Sequence, residues 1–189
     1  FEDFKDTDTI AAAQRRNKEL TLDEMEYIKA RAQTIGKMGA KARPNIADIK
    51  VDKVTLEDVR IEGMEPIVAD IDNFDIAEGR FFTASENDGA MRVCFVGSEL
   101  ANRLFPLRSA IGEEIYIRGI PYKIIGIQVE KGTVFGIPQD IFVFLPIKTY
   151  ASNFGPLRGS RSLYFVGTSK TDGLFKDAVE ETRTLMRVL

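Results

Sequence analysis

Histidine is absent from this sequence of 189 residues, and cysteine occurs once, as Cys94. Without histidine the chain lacks the commonest zinc ligand, the usual catalytic base and the usual pH switch. A single cysteine cannot form an intrachain disulfide, and this is compatible with either the cytosol or a bacterial periplasm. Metal sites and nucleophile–histidine catalysis are therefore disfavoured, and we expect neither a metal nor a cofactor in this domain.

Long hydrophobic runs and an excess of basic charge are also missing. No apolar stretch approaches the roughly 18–20 residues that span a bilayer, and no signal peptide opens the chain, so we expect the chain as given to be soluble. The formal net charge of −3 argues against a nucleic-acid partner, because phosphate binding needs a basic face. A start at Phe1 and an end inside a helical pattern at Leu189 are consistent with an excised domain.

What the chain does contain is the composition of a globular domain, with 44% hydrophobic and 29% charged residues. Its length suits one compact unit or two small lobes. Thr21 and Glu24 have the spacing of a capping box and precede a helical stripe, so we predict a helix over 22–34. Apolar residues alternate between Ile46 and Gly63, which predicts short antiparallel strands.

The remaining elements are read from periodicity and turn residues. Continuous apolar runs predict buried strands at 93–96, 141–145 and 162–166, and alternation around Gly119 predicts a hairpin of 114–118 with 122–127. A short helix should follow Ser98 and end at Pro106, the segment 85–89 reads as a loop, and a last helix should begin near Gly173. Strands and helices mix without regular alternation, so we predict the α+β class, with mixed sheets and packed helices.

Three patterns have a chemical interpretation and a structural one. The strand–turn–helix over 93–105 offers one glycine where a dinucleotide fingerprint needs three, which favours a structural corner with Ser98 capping the helix. Cys94 lies inside an apolar run and is predicted to be core. The acidic groups at 23–26 and 113–114 suit a helix dipole and a solvated strand better than catalysis. We therefore predict no catalytic residues.

Two glycine-containing stretches, 131–136 and 152–159, carry apolar side chains in loops. Exposed apolar groups on loops often mark a contact surface. We take Phe135, Phe154 and Leu157 as candidate partner contacts. Alternatively, these side chains fold back onto the core as anchors, and the sequence leaves both interpretations open.

An ordered set of segments connects Gly79 to Thr149. The set consists of EGRFFT at 78–83, VGSELANRLF at 96–105, IGEEI at 111–115 with Gly119 and YKIIGI at 122–127, and DIFVFLP at 140–146. No single segment is specific, but in this order and spacing they resemble the core of the MacB-like periplasmic domain family. The flanking Arg15-Arg16, Leu20-Thr21 and Asp23 also resemble the family segment that leaves the first membrane helix.

The resemblance implies a non-catalytic periplasmic domain inserted between the first two membrane helices of an ABC transporter permease of the bacterial inner membrane. It implies one domain over 1–189 with a porter-like lobe, about 1–45 and 90–189, and a smaller β-rich lobe, about 46–89. It implies coupling of ATP-driven helix movement to export or release of a substrate. The implied partners are a second permease copy, a cytoplasmic ATPase and a periplasmic adaptor protein.

Two other classes of function compete with this interpretation. A stand-alone periplasmic binding or adhesion module predicts a concave ligand pocket and termini free of membrane connections. A small enzyme would need a convergent set of polar residues with shifted pKa values, and no stretch of the sequence supplies one.

Overall fold

The molecule was analysed as a computed structural model that describes residues 21–134, 137–157 and 163–188. The predicted α+β class is confirmed, since helices pack on a large mixed sheet. The α-helices are α1 (Leu22–Arg31), α2 (Val68–Ile71), α3 (Ala84–Asp88), α4 (Ser98–Leu104), α5 (Ile147–Phe154) and α6 (Phe175–Val188), the last preceded by a 3-10 turn at Asp172–Leu174. Residues 10–18, whose alanine-rich and charged sequence favours a helix, lie outside the described residues.

The strands of the large sheet are β1 (Ile35–Ala42), β2 (Asn45–Val51), β3 (Val54–Met64), β4 (Ile76–Gly79), β5 (Val93–Val96), β6 (Glu114–Ile117), β7 (Ile120–Gln128), β10 (Phe142–Pro146) and β11 (Leu163–Ser169). A separate hairpin pairs β8 (Thr133–Val134) with β9 (Ile137–Pro138). In the large sheet, β3 pairs with β10, β10 with β5, β5 with β7, β7 with β6, β6 with β2 and β2 with β3. These pairings close a ring, so the centre of the molecule is a six-stranded barrel.

Side chains of alternate residues fill the barrel, as the two-residue period of a strand requires. Ile49, Ile61, Ile117, Ile124 and Val143 are fully buried in this interior cluster. The barrel therefore has a solid hydrophobic core.

Strands β5 and β10 also bury their outward faces, which explains their continuous apolar sequences. Outside the barrel, Phe95, Phe142 and Phe144 form an aromatic cluster that Phe74 and Phe81 cover. The Phe81 and Phe95 rings meet edge to face with their centroids 5.0 Å apart. Phe82, from the same segment that follows Gly79, is also buried in this cluster.

Helices close both ends of the barrel. α4 follows β5 and places Leu100, Ala101 and Leu104 in the interior cluster. α5 follows β10, which is antiparallel to β5, so α5 caps the opposite end with Tyr150.

Beyond the barrel, β1 and β11 form an antiparallel ribbon that runs from Ala42↔Leu163 to Ile35↔Ser169. One face packs against α1 through Met25, Ile28 and Met38. The other face meets α2, where the backbone of Gly39 lies against Ile67 and Val68. We call β1, β11, α1 and α6 the ribbon unit.

Most predicted elements are confirmed, including the capping box of α1, the 114–127 hairpin and the last helix. The loop predicted at 85–89 is wrong, because Thr83 and Glu86 form a second capping box that starts α3. The first helix ends at Arg31 instead of residue 34, because Ala32 is extended and leads into β1. The run from 46 to 63 forms two strands, β2 and β3, with one turn between them at residues 52–53. Asp58 takes a left-handed φ of 55° but does not interrupt β3.

The division into two lobes stays a prediction. Strands β2 and β3 come from the segment assigned to the smaller lobe, and they share ladders with β6 and β10 of the other segment. No helix in the described ranges is long and apolar enough to cross a membrane.

Candidate functional site

The described side chains considered for metal and thiol chemistry are the carboxylates and Cys94. In the ranges that the structure covers, no group of three or more histidine, cysteine, aspartate or glutamate side chains could hold a metal ion. Cys94 is fully buried inside the barrel, and this burial raises the pKa of its thiol far above the usual range. The predicted core position of Cys94 is confirmed.

The acidic clusters noted in the sequence have structural contacts. The Glu24 carboxylate accepts a hydrogen bond from the Thr21 backbone N–H at 2.9 Å, which completes the cap of α1. Glu113 pairs with Arg108, with Nε and Oε1 3.0 Å apart. These contacts agree with the structural interpretation of both clusters.

The corner between β5 and α4 differs from its prediction in one detail. Gly97 is the N-cap residue, and its backbone fits tightly, because a Cβ there would lie 2.1 Å from the carbonyl oxygen of Asp140. Ser98 is the first helical residue and makes no capping hydrogen bond, so the role assigned to its hydroxyl was wrong. The close approach of Asp140 selects glycine at this corner for packing.

Two of the three predicted partner contacts lie at the α5 end of the barrel. Phe154 stacks on the buried Tyr150 with ring centroids 4.6 Å apart, and the Arg118 guanidinium lies 4.2 Å from the centre of the Phe154 ring. Leu157 is half-buried between the barrel core and the cluster beneath α1. Both side chains thus have core contacts, and their role in binding a partner stays a prediction.

The third predicted contact, Phe135, lies outside the described residues. The strands on either side of it, β8 and β9, leave the barrel at the α4 end, opposite to α5. The buried Asp140 fixes this hairpin, because its carboxylate accepts hydrogen bonds from the backbone N–H groups of Lys131 and Gly132, at 2.7 Å for Gly132. The structure therefore does not bring β8 and β9 to the Phe154 end of the barrel.

Sequence reasoning missed a buried polar network at the junction of barrel and ribbon. Tyr164 of β11 donates a hydrogen bond of 2.7 Å to the Glu62 carboxylate of β3. The Nζ atom of Lys41, on β1, lies 3.4 Å from Glu62 Oε1 and 3.1 Å from Asp72 Oδ2. Burial is the largest cause that raises the pKa of the Tyr164 hydroxyl, and the hydrogen bond to Glu62 raises it further. The signal in the sequence was Glu62, a charged residue within the otherwise apolar end of β3.

The other feature that periodicity did not reveal is the pairing of α1 with α6. The Glu181 carboxylate of α6 accepts hydrogen bonds from the backbone N–H groups of Gln33 at 2.7 Å and Thr34 at 2.8 Å, and from the Thr34 hydroxyl. These bonds hold the pKa of Glu181 below its usual range. One turn later, Leu185 packs on the cluster that contains Met25 and Ile28 of α1.

The order of these contacts makes the two helices antiparallel. The ribbon end at Ile35↔Ser169 leads directly into α1 on one side and α6 on the other, and the Lys170 N–H bonds the Thr34 carbonyl. From that end both helices extend along the ribbon toward the barrel, although their chain directions are opposite. The N-terminal end of α1 and the C-terminal end of α6 therefore lie on the same side.

The barrel and the ribbon unit together define a domain of the α+β class. The family model of the MacB-like periplasmic core domain matches residues 1–182, and the chain belongs to this family of periplasmic permease domains. The predicted family membership is thus confirmed.

Solved structures share this fold. The periplasmic region of MacB from Actinobacillus actinomycetemcomitans matches with a TM-score of 0.74 and 16% identity, over 90% of this chain and 74% of that one. The extracellular domain of the ABC-type transporter YknZ from Gram-positive bacteria matches with a TM-score of 0.73 and 17% identity, over 88% and 82% of the two chains.

Curated relatives are much longer proteins. The macrolide export ATP-binding/permease protein MacB of Azoarcus sp. is 36% identical over 78 residues, which is 41% of this chain and 12% of that protein. A probable export ATP-binding/permease protein MacB of Pseudomonas entomophila is 27% identical over 161 residues, 85% of this chain and 22% of the relative. The chain therefore spans about an eighth to a fifth of these relatives.

Proposed function

We propose that this chain is the periplasmic part of an ABC transporter permease, inserted between two membrane helices, and that it passes their movement to a substrate or partner protein in the periplasm. The observation that carries the proposal is the antiparallel pair of α1 and α6. Because the N-terminal end of α1 and the C-terminal end of α6 lie on the same side, the chain enters and leaves this helix pair on one side, as insertion between two membrane helices requires.

The contacts of the ribbon unit support a mechanical role. Glu181 ties α6 to the end of α1, and the Lys41–Glu62–Tyr164 network ties the ribbon to the barrel. A displacement of either helix is therefore transmitted to a barrel whose interior is closely packed and hard to deform. In this proposal, ATP hydrolysis takes place in a separate cytoplasmic domain or subunit, and the periplasmic domain needs no cofactor.

The proposed partners are a second copy of the permease, a cytoplasmic ATPase and a periplasmic adaptor. Family membership and the names of the longer relatives, which are ATP-binding/permease proteins, support the ATPase partner. Crosslinking and mass spectrometry of the intact permease, purified from its native membrane, should recover an ATPase together with a periplasmic protein joined to this domain. Recovery of a lipoprotein instead of an adaptor would indicate lipoprotein release, and recovery of a cell-wall hydrolase would indicate its regulation; both outcomes would replace export and leave the coupling proposal in place.

Coupling itself is tested by a distance measurement in the intact permease. A spin label at Leu107, which is 96% exposed, reports the separation of the two periplasmic domains by pulsed electron resonance, and the buried Cys94 is first replaced by alanine. We expect ATP to change this separation. Glu181→Ala should reduce the change while hydrolysis continues, whereas Glu180→Ala, on an exposed position of the same helix, should not. A separation that is the same with and without ATP would contradict the proposal.

A further inference from the structure

The groove between β11 and α6 is not used by the coupling proposal. It has a volume of about 380 Å³. Its lining is apolar apart from a few hydroxyl groups and Arg183, which already pairs with Glu180. Its lining comes from Ile35 and Met38 of β1, from residues 164–169 of β11, and from α6, including Phe175, Val179 and Met186.

The groove follows an open strand edge. In the part of the chain that the structure describes, β11 pairs with β1 and with no other strand. Consecutive residues from Tyr164 to Ser169 line the groove, although their side chains alternate between the two faces of the ribbon. The edge of β11 that faces away from β1 presents N–H and C=O groups that have no strand partner among the described residues.

The sequence of this edge lacks the usual protection against strand pairing. Natural edge strands are protected by charged residues, proline, bulges, or a helix or loop that covers the edge. β11 reads LYFVGTS and contains neither a charge nor a proline in its seven residues. The neighbouring α6 also leaves apolar surface uncovered, since Phe175 is 63% exposed and Met186 is 40% exposed.

We propose that this edge is a strand-addition site for an uncharged, extended peptide segment of another protein. Backbone hydrogen bonds to β11 would hold the segment, and its alternate side chains would enter the apolar groove against α6. An unpaired strand edge binds another extended segment through backbone hydrogen bonds, so we take a strand as the occupant. Because the groove lining is nearly uncharged, the side chains of that strand should be uncharged as well. This inference goes beyond the coupling function and does not depend on it.

The test uses the domain and a fluorescent ten-residue peptide of alternating valine and threonine with blocked ends. Saturable binding is expected in fluorescence anisotropy. The same peptide with N-methyl groups on its backbone amides should not bind, because strand pairing needs its N–H donors. Hydrogen exchange should slow in residues 163–169 when the first peptide is bound.

Two matched variants locate the site. Met186→Lys places a charge in the groove and should weaken the peptide affinity at least about tenfold. Met91→Lys changes an exposed methionine that does not line the groove and should leave the affinity unchanged.

Four results would overturn the inference. They are equal binding of the methylated peptide, equal effects of the two variants, protection at a strand other than β11, and self-association of the domain through β11 without peptide. The first three would remove the site, and the fourth would make a second copy of the chain its occupant. None of these results concerns the response of the permease to ATP, so a failure here is distinguishable from a failure of the coupling proposal.

Discussion

At the scale of single residues, Glu86 holds the turn between β4 and α3 together. Its carboxylate accepts hydrogen bonds from both terminal nitrogens of Arg80, at 2.7 and 2.8 Å, and from the backbone N–H of Thr83 at 2.8 Å. The bond to Arg80 is the main cause that lowers the pKa of Glu86 to about 2, although burial opposes it. The carboxylate is therefore stabilised in its charged form in the folded state.

This shift predicts a pH dependence of stability. A carboxyl group with a lowered folded-state pKa adds stability above its unfolded pKa, and this stability is lost as the pH falls from about 4.5 toward about 2. Glu86→Gln should reduce the free energy of unfolding at pH 7 by about 1–3 kcal/mol, since Arg80 is partly screened by solvent. The variant should also lose less stability than the parent between pH 5 and pH 3.

Chemical denaturation at several pH values measures both effects. The control is Glu57→Gln, which changes an exposed glutamate of β3 and should leave the pH profile intact. An identical acid profile for the parent and Glu86→Gln would show that other carboxylates dominate the acid sensitivity.

Gly97 provides a second residue-scale prediction, based on packing. A Cβ at Gly97 would lie 2.1 Å from the carbonyl oxygen and 2.5 Å from the carbonyl carbon of Asp140, and backbone atoms cannot rotate away. Gly97→Ala should lower the free energy of unfolding by at least about 1–3 kcal/mol in thermal or denaturant unfolding. Gly173→Ala, where no atom lies within 4 Å, should change it by less than about 0.5 kcal/mol. Equal stability of the two variants would mean that the β5–α4 corner opens at little cost.

At the scale of elements, the junction of β1, β3 and β11 depends on the polar network. The side chains of Lys41 and Glu62 are 14% and 5% exposed, so the removal of one partner leaves a buried polar group without its bond. We expect Glu62→Gln and Tyr164→Phe each to reduce the free energy of unfolding by about 1–3 kcal/mol. The double variant should lose less than the sum, with a coupling energy of about 0.5–3 kcal/mol.

The matched control is a double-mutant cycle on Lys29 and Glu26 of α1. Their nitrogen and oxygen lie 2.9 Å apart, but Glu26 is 63% exposed, so their coupling energy should stay below about 0.5 kcal/mol. Additive effects of Glu62→Gln and Tyr164→Phe would contradict the proposed link between barrel and ribbon.

Elements with a local signal were predictable from the sequence, and the exceptions have physical reasons. The hairpin of β6 and β7 was predicted from the alternation on both sides of Gly119, and in the structure Arg118 and Gly119 form its turn with positive φ angles. β1 was missed because its sequence, IGKMGAKA, is rich in glycine and alanine, which favour strands weakly. α5 was missed because it starts immediately after Pro146, which had been taken as the end of an apolar strand.

Contacts between distant segments were beyond the reach of periodicity. The barrel closes through the parallel pairing of β3 with β10, whose partners Ile61 and Val143 are far apart in sequence. For the candidate contacts, the sequence indicated Phe154 and Leu157 as apolar loop residues. The ring of Phe154 stacks on Tyr150 and lies beside Arg118, and Leu157 packs against two core clusters, contacts that only the folded chain creates.

At the scale of the whole molecule, the barrel and the ribbon unit are stabilised in different ways. The barrel strands form a closed ring around a fully buried core, whereas the recorded ladder between β1 and β3 is the single pair Lys41↔Met64. Packing of Leu163 and Ile147 beneath α1 adds to this joint. Regions with fewer stabilising contacts open at lower free energy than the core.

We therefore expect the ribbon unit to open before the barrel. In native-state hydrogen exchange at low denaturant, amides of β11 and α6 should exchange with a lower opening free energy than those of β7 and β10. Tyr164→Phe should lower the opening free energy of β11 further and leave that of β7 unchanged, because Glu62 then loses the bond that joins ribbon to barrel. If all of these strands opened together with the global free energy of unfolding, the molecule would be one cooperative unit. The joint at Lys41↔Met64 would then be as stable as the barrel itself.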